Sequence, residues 1–281
     1  MFLIYGQTGQ VARELQEIAP QHLYLDRSQA DFSRPETVAQ HVHTSNPEAV
    51  IIAAAYTAVD KAEEERDLAF AVNADAPKAI AEACAKSGIP VVFISTDYVF
   101  DGSGSKAFSS SAQTVPLNVY GESKKAGERA VRESGAPYAI LRTSWVFSSF
   151  GNNFVKTMLR LGREREELSI VADQIGGPTP ARAIAAACLQ IADRLTEDPG
   201  LSGTYQFAGA PDVSWAQFAR AIFEQAGLDV AVSDIPASQF PTPAKRPANS
   251  RMDCSDLTKL GLSRPDWSVE LKPVIEKVQS A

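Results

Sequence analysis

Short apolar segments alternate with helix-like segments along the first half of this 281-residue chain. Between the first two of them, Val11, Leu15 and Ile18 recur at helical spacing. Apolar strands separated by helices pair in a parallel sheet that is covered on both faces. The sequence therefore predicts an α/β fold with a doubly wound parallel sheet, which binds ligands beyond the carboxyl ends of its strands. The apolar segments are residues 2–5, 22–26, 49–55, 91–95 and 138–144.

The second half of the chain is less regular. We expect helices at residues 154–163, after Pro180 and at 215–226, a strand at 168–172, and a proline-rich segment at 235–251. Residues 1–149 are therefore predicted to form a dinucleotide-binding Rossmann domain. Residues 150–281 are predicted to form mainly a smaller substrate-binding lobe, with segments that return to the sheet.

Charge and composition exclude several classes of function. A net charge of -7 and a pI near 5.1 argue against general affinity for nucleic acid or anionic membranes. No apolar stretch approaches the ~20 residues of a membrane span, and no basic leader precedes the first strand, so a soluble cytoplasmic protein is expected. Cys84, Cys188 and Cys254 are far apart and predicted to be buried free thiols. His41 and His43 are not expected to bind metal.

A glycine turn follows the first predicted strand. In "YGQTGQVA", Gly6 and Gly9 precede a helix, and Ala12 occupies the place where a third glycine often lies. Glycines allow backbone N–H groups to approach a pyrophosphate, which the helix amino terminus then stabilises. Asp26 lies 20 residues beyond Gly6, at the tip of the second strand, where an acid can bind the adenosine ribose. The context predicts a nicotinamide dinucleotide cofactor.

Tyr120 and Lys124 are four residues apart in "PLNVYGESKKAGERAV", so they share one helical face. A lysine ammonium stabilises a phenolate, and we expect it to lower the pKa of Tyr120 and prepare the phenol for proton transfer. A surface helix in which the Tyr120 ring packs on the Lys124 stem explains the same spacing. Thr96 and Asp97 end the fourth strand on the same rim, which favours a site that binds and protonates a carbonyl oxygen.

The motifs together resemble those of the dTDP-4-dehydrorhamnose reductase family, within the extended short-chain dehydrogenase/reductases. They are "GQTGQV", "AAAYTAVDKAE", "VNADAP", "STDYVFDG", "PLNVYGESKKAGE", "RTSWVF", "GNNFVKTMLR", "DQIGGPTPA" and "RPANSRMD", and they span nearly the whole chain. The resemblance implies reduction of the 4-keto group of dTDP-4-dehydro-6-deoxy-L-mannose to dTDP-L-rhamnose. Tyr120 would be the proton donor, Lys124 would hold the nicotinamide ribose, and Thr96 would orient the keto oxygen.

The resemblance also implies two sets of binding residues. Along the cofactor it places Gly6, Gln7, Thr8, Gly9, Gln10, Val11, Asp26, Arg27, Asp31, Phe32, Ala53, Ala54, Ala55, Thr57, Asn73, Tyr120 and Lys124. Along the nucleotide-sugar substrate it places Thr57, Val59, Thr96, Asp97, Trp145, Asn153, Arg246, Asn249 and Arg251, with Trp145 as one wall of the sugar pocket.

The segment "KRPANSR", residues 245–251, is the predicted contact for the substrate diphosphate. It holds three cations within seven residues of an acidic protein, and arginine suits phosphate oxygens. A solvated basic turn is the alternative reading of this stretch alone. The match to the family pattern favours the diphosphate site.

Two departures from the family pattern affect the predictions. Ala12 replaces the usual glycine and should be tolerated. Arg182 occupies a position where some members carry an acidic metal ligand between subunits, and a cation cannot serve there. Glu14 alone is insufficient, so we expect no metal and either a monomer or a homodimer.

Other activities remain open at this point. A nucleotide-sugar dehydratase or epimerase would use the same Tyr120 and Lys124, although dehydratases carry a glutamate where Tyr98 follows Asp97. A regulatory subunit of methionine adenosyltransferase would keep the cofactor fold without catalysis. For the cofactor, Asp26 favours NADH and its neighbour Arg27 favours NADPH. The resemblance favours NADPH, with NADH as the alternative.

Overall fold

The computed structural model describes residues 1–280, in which strands and helices alternate. Within this range the strands are β1 (Leu3–Tyr5), β2 (Leu23–Leu25), β3 (Val50–Ile52), β4 (Val91–Thr96), β5 (Tyr138–Thr143), β6 (Val146–Phe147), β7 (Glu167–Val171), β8 (Ile175–Gly176), β9 (Thr179–Pro180), β10 (Gly203–Gln206), β11 (Val213–Ser214), β12 (Ala231–Ile235) and β13 (Asn249–Ser250).

The α-helices of the described chain are α1 (Gln10–Ile18), α2 (Pro35–Val38), α3 (Gln40–Ser45), α4 (Val59–Ala62), α5 (Arg66–Phe70), α6 (Ala76–Ala85), α7 (Val119–Glu133), α8 (Phe154–Glu164), α9 (Ala181–Glu197), α10 (Trp215–Ala226) and α11 (Trp267–Gln279). A π-helical turn, Ala71–Asp75, joins α5 to α6. Short 3₁₀ helices lie at Asp97–Val99, Pro199–Leu201, Ala237–Gln239 and Ser255–Leu260.

The main sheet has six parallel strands in the order β10-β5-β4-β3-β1-β2. The chain moves from β1 outward to β2 and then returns past β1 to β3. Neighbouring connections therefore diverge at β1 and β3, and a crevice opens beyond their carboxyl ends. The predicted doubly wound parallel sheet is confirmed.

The two faces of the sheet bury different residues because successive strand residues point to opposite sides. Ile4 and Ile51 pack with α1 and α9 in one core. Leu3 and Val50 pack with α2, α3 and α6 in the other. The pattern predicted from continuous apolar strands therefore reflects burial on both faces.

Part of the second half of the chain belongs to the main sheet. Helix α9 packs on one face, and β10 extends the sheet by pairing with β5. A third core, formed by α8, α10 and α11 with side chains such as Phe218, lies outside these layers. The division of the chain between residues 149 and 150 stays a prediction.

Most predicted elements lie where the sequence pattern places them. The clearest difference is the third strand, which was expected over residues 49–55 but ends at Ile52. Ala53 and Ala54 instead donate their N–H groups to the Tyr5 carbonyl at 3.0 and 2.7 Å. Their short side chains leave this backbone turn room at the rim of the crevice.

Residues 1–280 contain neither a membrane-spanning helix nor a cluster of metal-binding side chains. None of the helices described there is both long and apolar enough to cross a membrane. No three or more His, Cys, Asp or Glu side chains in the same range are grouped so that they could hold a metal ion. The three cysteines are buried and unpaired with one another, as expected.

Gly127 allows α7 to pack closely against the π-helical turn. A Cβ atom there would overlap the Asn73 carbonyl oxygen and lie 3.0 Å from Cζ of Phe93. We therefore expect Gly127→Ala to lower the free energy of unfolding by about 1–3 kcal/mol, as overpacked cores do. Urea denaturation without ligand measures this change.

Gly9→Ala is the matched control for Gly127→Ala. Gly9 has an ordinary φ of -69°, and a Cβ there would meet nothing within 4 Å. Its free energy of unfolding should change by less than about 1 kcal/mol. Equal stability of Gly127→Ala and wild type would contradict the close approach.

Candidate active site

A cavity of about 750 Å³ lies at the carboxyl ends of the strands, over the crevice between β1 and β3. Parallel sheets of this topology bind their ligands at this position. Most residues predicted from the sequence line the cavity. They are Gly6, Gln7, Thr8, Gly9, Gln10, Val11, Asp26, Arg27, Asp31, Phe32, Ala53, Ala54, Ala55, Thr57, Val59, Thr96, Asp97, Tyr120, Lys124 and Trp145.

The turn after β1 has the geometry of a pyrophosphate cradle. Gly6 has a φ of +118°, and a Cβ on it would lie 3.1 Å from the Ala54 nitrogen. Only glycine adopts such a conformation readily. Gly9 is the N-cap of α1 without a side-chain cap, so N–H groups of the first helical turn remain available to an anion. The residues present fit a dinucleotide phosphate.

Asp26 lies at the outer end of the cavity, directly after β2. Its Oδ1 accepts hydrogen bonds from Ser28 Oγ at 2.6 Å and from the Ser28 and Gln29 nitrogens at 2.8 and 3.0 Å. The bond from the Ser28 hydroxyl, with the backbone bonds, lowers the pKa of Asp26, so its carboxylate is charged. Arg27 beside it is largely exposed and lies 3.6 Å from Asp31.

Tyr120 is the second residue of α7, whose start is held at the rim of the cavity. The N-cap residue Asn118 accepts the Gly121 N–H at 2.8 Å and donates to the Lys245 carbonyl at 2.8 Å. The absence of a side chain at Gly121 lets the helix approach the Tyr98 carbonyl. The Tyr120 ring meets the Tyr98 ring edge-on, with the centroids 5.6 Å apart.

Lys124 lies one turn further along α7 and is almost completely buried. Its Nζ donates to the Ile94 carbonyl at 2.7 Å and lies 4.0 Å from the Phe93 ring centroid. Burial lowers the pKa of Lys124 to about 7, although the charge of Glu128 opposes this shift. The ammonium therefore titrates near neutral pH.

The expected lowering of the pKa of Tyr120 is wrong. Burial raises the pKa of Tyr120 to about 12, against the opposing hydrogen bond with Thr96, and the Asp97 charge adds to the rise. Lys124 instead bonds to the Ile94 backbone. Both groups share the predicted helix face, but burial rather than the charge of Lys124 governs the pKa of Tyr120.

Asp97 is a buried carboxyl group at the end of β4. Its Oδ1 accepts the Thr96 hydroxyl at 3.2 Å, whereas its buried Oδ2 has no hydrogen-bond partner. Burial raises the pKa of Asp97 to about 6, although the nearby Ser250 and Thr96 hydroxyls oppose the change. Thr96 therefore connects a phenol and a carboxyl group, both with raised pKa.

A buried ion pair fixes α7 against β5. Arg142 donates to both carboxylate oxygens of Glu128, at 2.8 and 2.6 Å, and Ser95 Oγ donates to the same carboxylate at 2.6 Å. Such bidentate bonds restrict orientation as well as position. Because Lys124 lies one turn before Glu128, the pair also holds the helix face that carries Tyr120 and Lys124 in place.

Trp145 forms one side wall of the cavity just after β5. It has a φ of +48°, a left-handed conformation that costs an aromatic residue about 1–3 kcal/mol. Its indole stacks on Trp215, with ring centroids 3.5 Å apart and an angle of 8° between planes. Trp215 was not predicted as a site residue. The one feature of the sequence that could have indicated Trp215 is its position as the first residue of a helix capped by Ser214.

Asn73 and Asn153 do not line the cavity. The Asn73 amide is fully buried and binds the nitrogen and oxygen of Tyr56 at 2.9 and 3.0 Å, so it supports the loop that lines the cavity. Asn153 caps α8 and donates to Gln10 Oε1 at 2.9 Å. In this structure each therefore supports lining residues rather than facing the ligand space.

The three residues predicted from "KRPANSR" also lie outside the cavity lining. Arg246 pairs with Asp60 at 2.7 Å. Asn249 is buried and donates to the Ser103 and Lys106 carbonyls. Arg251 donates to Asn249 Oδ1 at 3.1 Å. The loop is thus held by internal contacts. Its predicted contact with the substrate diphosphate would lie outside the cavity lining.

Several lining residues were not singled out in the sequence, although most of them lie within the quoted motifs. They include Tyr56, Leu68, Val72, Tyr98, Ser144, Val146, Gly151 and Asn152. Arg182, which departs from the family pattern, lies 3.6 Å from Glu14 and 3.8 Å from Glu17. An arginine thus neutralises these carboxylates.

The buried Asp97 carboxyl predicts a pH-dependent stability difference. Because its folded pKa is raised above 3.8 to about 6, the folded chain favours the protonated form, and stability falls as pH rises through this window. Asp97→Asn removes the buried charge. Its free energy of unfolding should match wild type near pH 4 and exceed it by about 2–3 kcal/mol at pH 8.

Urea denaturation from pH 4 to 8 measures the difference in free energy of unfolding between Asp97→Asn and wild type. The other titrating groups are the same in both proteins, so their contributions cancel. Asp101→Asn is the control, because Asp101 is exposed and the bonds from the Ser103 nitrogen and hydroxyl lower its pKa. That variant should gain no stability with rising pH. A constant difference between Asp97→Asn and wild type would refute the buried charge.

Comparison with known proteins places the chain in a family. The sequence matches the family model described as the RmlD substrate binding domain over residues 1–280. The dTDP-4-dehydrorhamnose reductase of Sinorhizobium fredii is 43% identical, over 97% of this chain and 95% of its own length. That of Escherichia coli is 40% identical, over 98% of this chain and 97% of its own.

A solved structure agrees with this assignment. The crystal structure of dTDP-4-dehydrorhamnose reductase from Bacillus anthracis in complex with NADP has a TM-score of 0.91 to this chain, at 38% identity and with 98% of each chain covered. The resemblance first seen in the motifs is thereby confirmed. The chain belongs to the dTDP-4-dehydrorhamnose reductase family.

Proposed function

We propose that this chain reduces the 4-keto group of dTDP-4-dehydro-6-deoxy-L-mannose with NADPH, giving dTDP-L-rhamnose. The observation that carries the proposal is the position of Thr96, Tyr120 and Lys124 in the same cavity as a glycine turn fit for a dinucleotide. The relatives named above carry this activity in their names. The proposal therefore joins the chemistry of the site to that of the family.

The cofactor, when bound, supplies the hydride that reaches C4 of the sugar. Thr96 orients the 4-oxygen by a hydrogen bond, and the Tyr120 hydroxyl gives its proton to that oxygen as negative charge develops there. The carbonyl thus gains one hydride and one proton and becomes an alcohol. Protonated Lys124 stabilises the phenolate that remains, and burial keeps that charge interaction strong.

NADPH is the proposed cofactor, as the NADP bound to the Bacillus anthracis structure suggests. Asp26 would accept a ribose hydroxyl and repel a 2′-phosphate. Arg27, largely exposed beside it, is positioned to attract that phosphate. Because these two charges oppose each other, NADH is the proposed second cofactor rather than an excluded one.

The substrate would extend from the catalytic rim toward the second half of the chain. Thr57, Val59, Asp97 and Trp145 line the cavity where the hexose would lie. Beyond them, the loop at 245–251 offers the cations that a diphosphate needs. Its arginines currently bond to protein groups, so we propose that Arg251 exchanges its contact with Asn249 for a phosphate oxygen.

Stoichiometry tests this proposal against the alternatives. With the keto sugar generated in the assay, a reductase oxidises one NADPH for each sugar converted, whereas an epimerase consumes none. A regulatory subunit shows no turnover and binds a methionine adenosyltransferase. Absence of NADPH consumption with authentic keto sugar would reject the reductase activity.

Tyr120→Phe should fold and bind NADPH but lose most of its activity. The change removes one hydroxyl and leaves the ring in its contact with Tyr98. Because a positioned acid accelerates proton transfer by ~10²- to 10⁴-fold, we expect kcat to fall within that range. Single-turnover kinetics measure the chemical step directly.

Tyr138→Phe is the matched control for Tyr120→Phe, since Tyr138 begins β5 and does not line the cavity. It should keep wild-type turnover. If Tyr120→Phe keeps more than about a third of the single-turnover rate, the proton donor is another group.

Arg251→Ala should raise KM for the dTDP-sugar by roughly tenfold or more while Kd for NADPH stays nearly constant. The lost charge-assisted bond would belong to the substrate diphosphate alone. Steady-state kinetics and NADPH titration measure the two constants. Arg246→Ala should act in the same direction but also disturb the ion pair with Asp60.

Arg220→Ala provides the matched control, because this exposed arginine of α10 pairs with Asp234 and does not line the cavity. It should change neither constant by more than about twofold. The loop is ruled out as the diphosphate contact if Arg251→Ala weakens binding of NADPH as much as binding of the sugar. The same holds if it changes neither constant.

A further inference from the structure

Trp145 has an unfavourable backbone conformation that needs support from its surroundings. Its φ of +48° is left-handed although it is neither glycine nor asparagine, and such conformations persist only where neighbouring contacts determine them. The Thr179 nitrogen donates to the Trp145 carbonyl at 3.1 Å, which fixes the backbone. The indole is held by other residues.

Trp215 provides one of these side-chain contacts. Its ring stacks on that of Trp145 with 3.5 Å between centroids, and Phe154 supports its position at 4.6 Å. Trp215 is the first residue of α10, whose capping box joins Ser214 and Gln217 through bonds of 3.1 and 2.8 Å. It is absent from the cavity lining, where Trp145 is present.

Gly176 provides the second contact. A Cβ atom on this buried glycine would lie 2.9 Å from Cε2 and 3.1 Å from Nε1 of Trp145, and 3.0 Å from Cβ of Ser250. Real Cβ atoms essentially never come as close as the first of these. The Trp145 indole therefore lies directly against the backbone of β8, in space that only glycine leaves.

One small sheet holds both contacts in register. In it, β8 pairs with β11 so that Gly176 opposes Val213, two residues before Trp215. It also pairs with β13 so that Gly176 opposes Ser250. The stacking partner and the glycine are thus fixed relative to each other by backbone hydrogen bonds rather than by loops.

We propose that Trp215 and Gly176 are positioning residues that hold the Trp145 indole as the wall against the hexose of the substrate. This inference rests on the proposed function for the identity of the ligand. Neither residue touches the reacting atoms. Their effect is on recognition of the sugar, not of the nucleotide or the cofactor.

The first test uses calorimetry to measure binding of dTDP-L-rhamnose and of dTDP, each with NADP⁺ present. Binding of NADPH is measured separately. Trp215→Leu should raise Kd for dTDP-L-rhamnose roughly tenfold, while Kd for dTDP and for NADPH changes by less than about twofold. Trp215→Phe keeps an aromatic face and should restore most of the affinity. If Trp215 had only a structural role, Trp215→Leu would weaken binding of dTDP and of dTDP-L-rhamnose equally. That result would overturn the proposal.

A second readout reports the stack without any ligand. Two indoles stacked this closely couple their strong ultraviolet transitions, and where the two transition dipoles are skewed this coupling gives paired circular-dichroism bands of opposite sign. The bands should be present in wild type and lost in Trp215→Leu. The third tryptophan, Trp267, lies in the core formed with α11, so Trp267→Phe is the control that should keep both the bands and the affinities.

Gly176→Ala tests the other side of the indole. It should weaken binding of dTDP-L-rhamnose more than binding of dTDP, and it should alter the paired bands. The reason for both effects is that the new methyl group displaces Trp145. Wild type that binds dTDP-L-rhamnose no more tightly than dTDP would overturn the inference. Failure of wild type to reduce the keto sugar would reject the proposed function alone, because the binding comparison requires no turnover.

Discussion

The reversal of strand order between β1 and β3 is the constraint on which the rest of the structure depends. Helix α1 leaves β1 on one face of the sheet, while the helices after β2 and β3 cover the other face, so the chain segments separate beyond the carboxyl ends of these strands. The glycine turn, the end of β4 and the start of α7 all reach this opening. The diverging connections themselves leave the space for the cavity.

Burial controls the chemistry of the groups at this opening. Lys124 and Asp97 are almost completely buried, and desolvation moves their pKa values toward neutrality, to about 7 and about 6. The same effect raises the pKa of Tyr120. The bidentate pair between Glu128 and Arg142 fixes the helix that carries Tyr120 and Lys124. The structure thus combines rigid support with ionisable groups whose pKa values are shifted by burial, as is common at functional sites.

Two parts of the chain build the cavity in different ways. On the cofactor side, the lining comes from strand ends and the turns directly after them, so its geometry follows from the sheet. On the proposed substrate side, Trp145 contacts Trp215 and Gly176, which come from segments far apart in sequence. Likewise, Arg246 reaches Asp60 across 186 residues. The substrate side is therefore assembled from long-range contacts, and substitutions distant from the cavity can change it.

The sequence alone determined the α/β class, the glycine turn, the helix face shared by Tyr120 and Lys124, and the placement of Thr96 at a strand end. Each of these follows from local periodicity or from the position of a residue at the end of an element. Tertiary structure alone decided that Asn73 supports Tyr56, that Trp215 stacks on Trp145, and that burial raises rather than lowers the pKa of Tyr120. These outcomes depend on which distant segments exclude water and supply partners, and desolvation is a property of the packed fold rather than of the spacing between two residues.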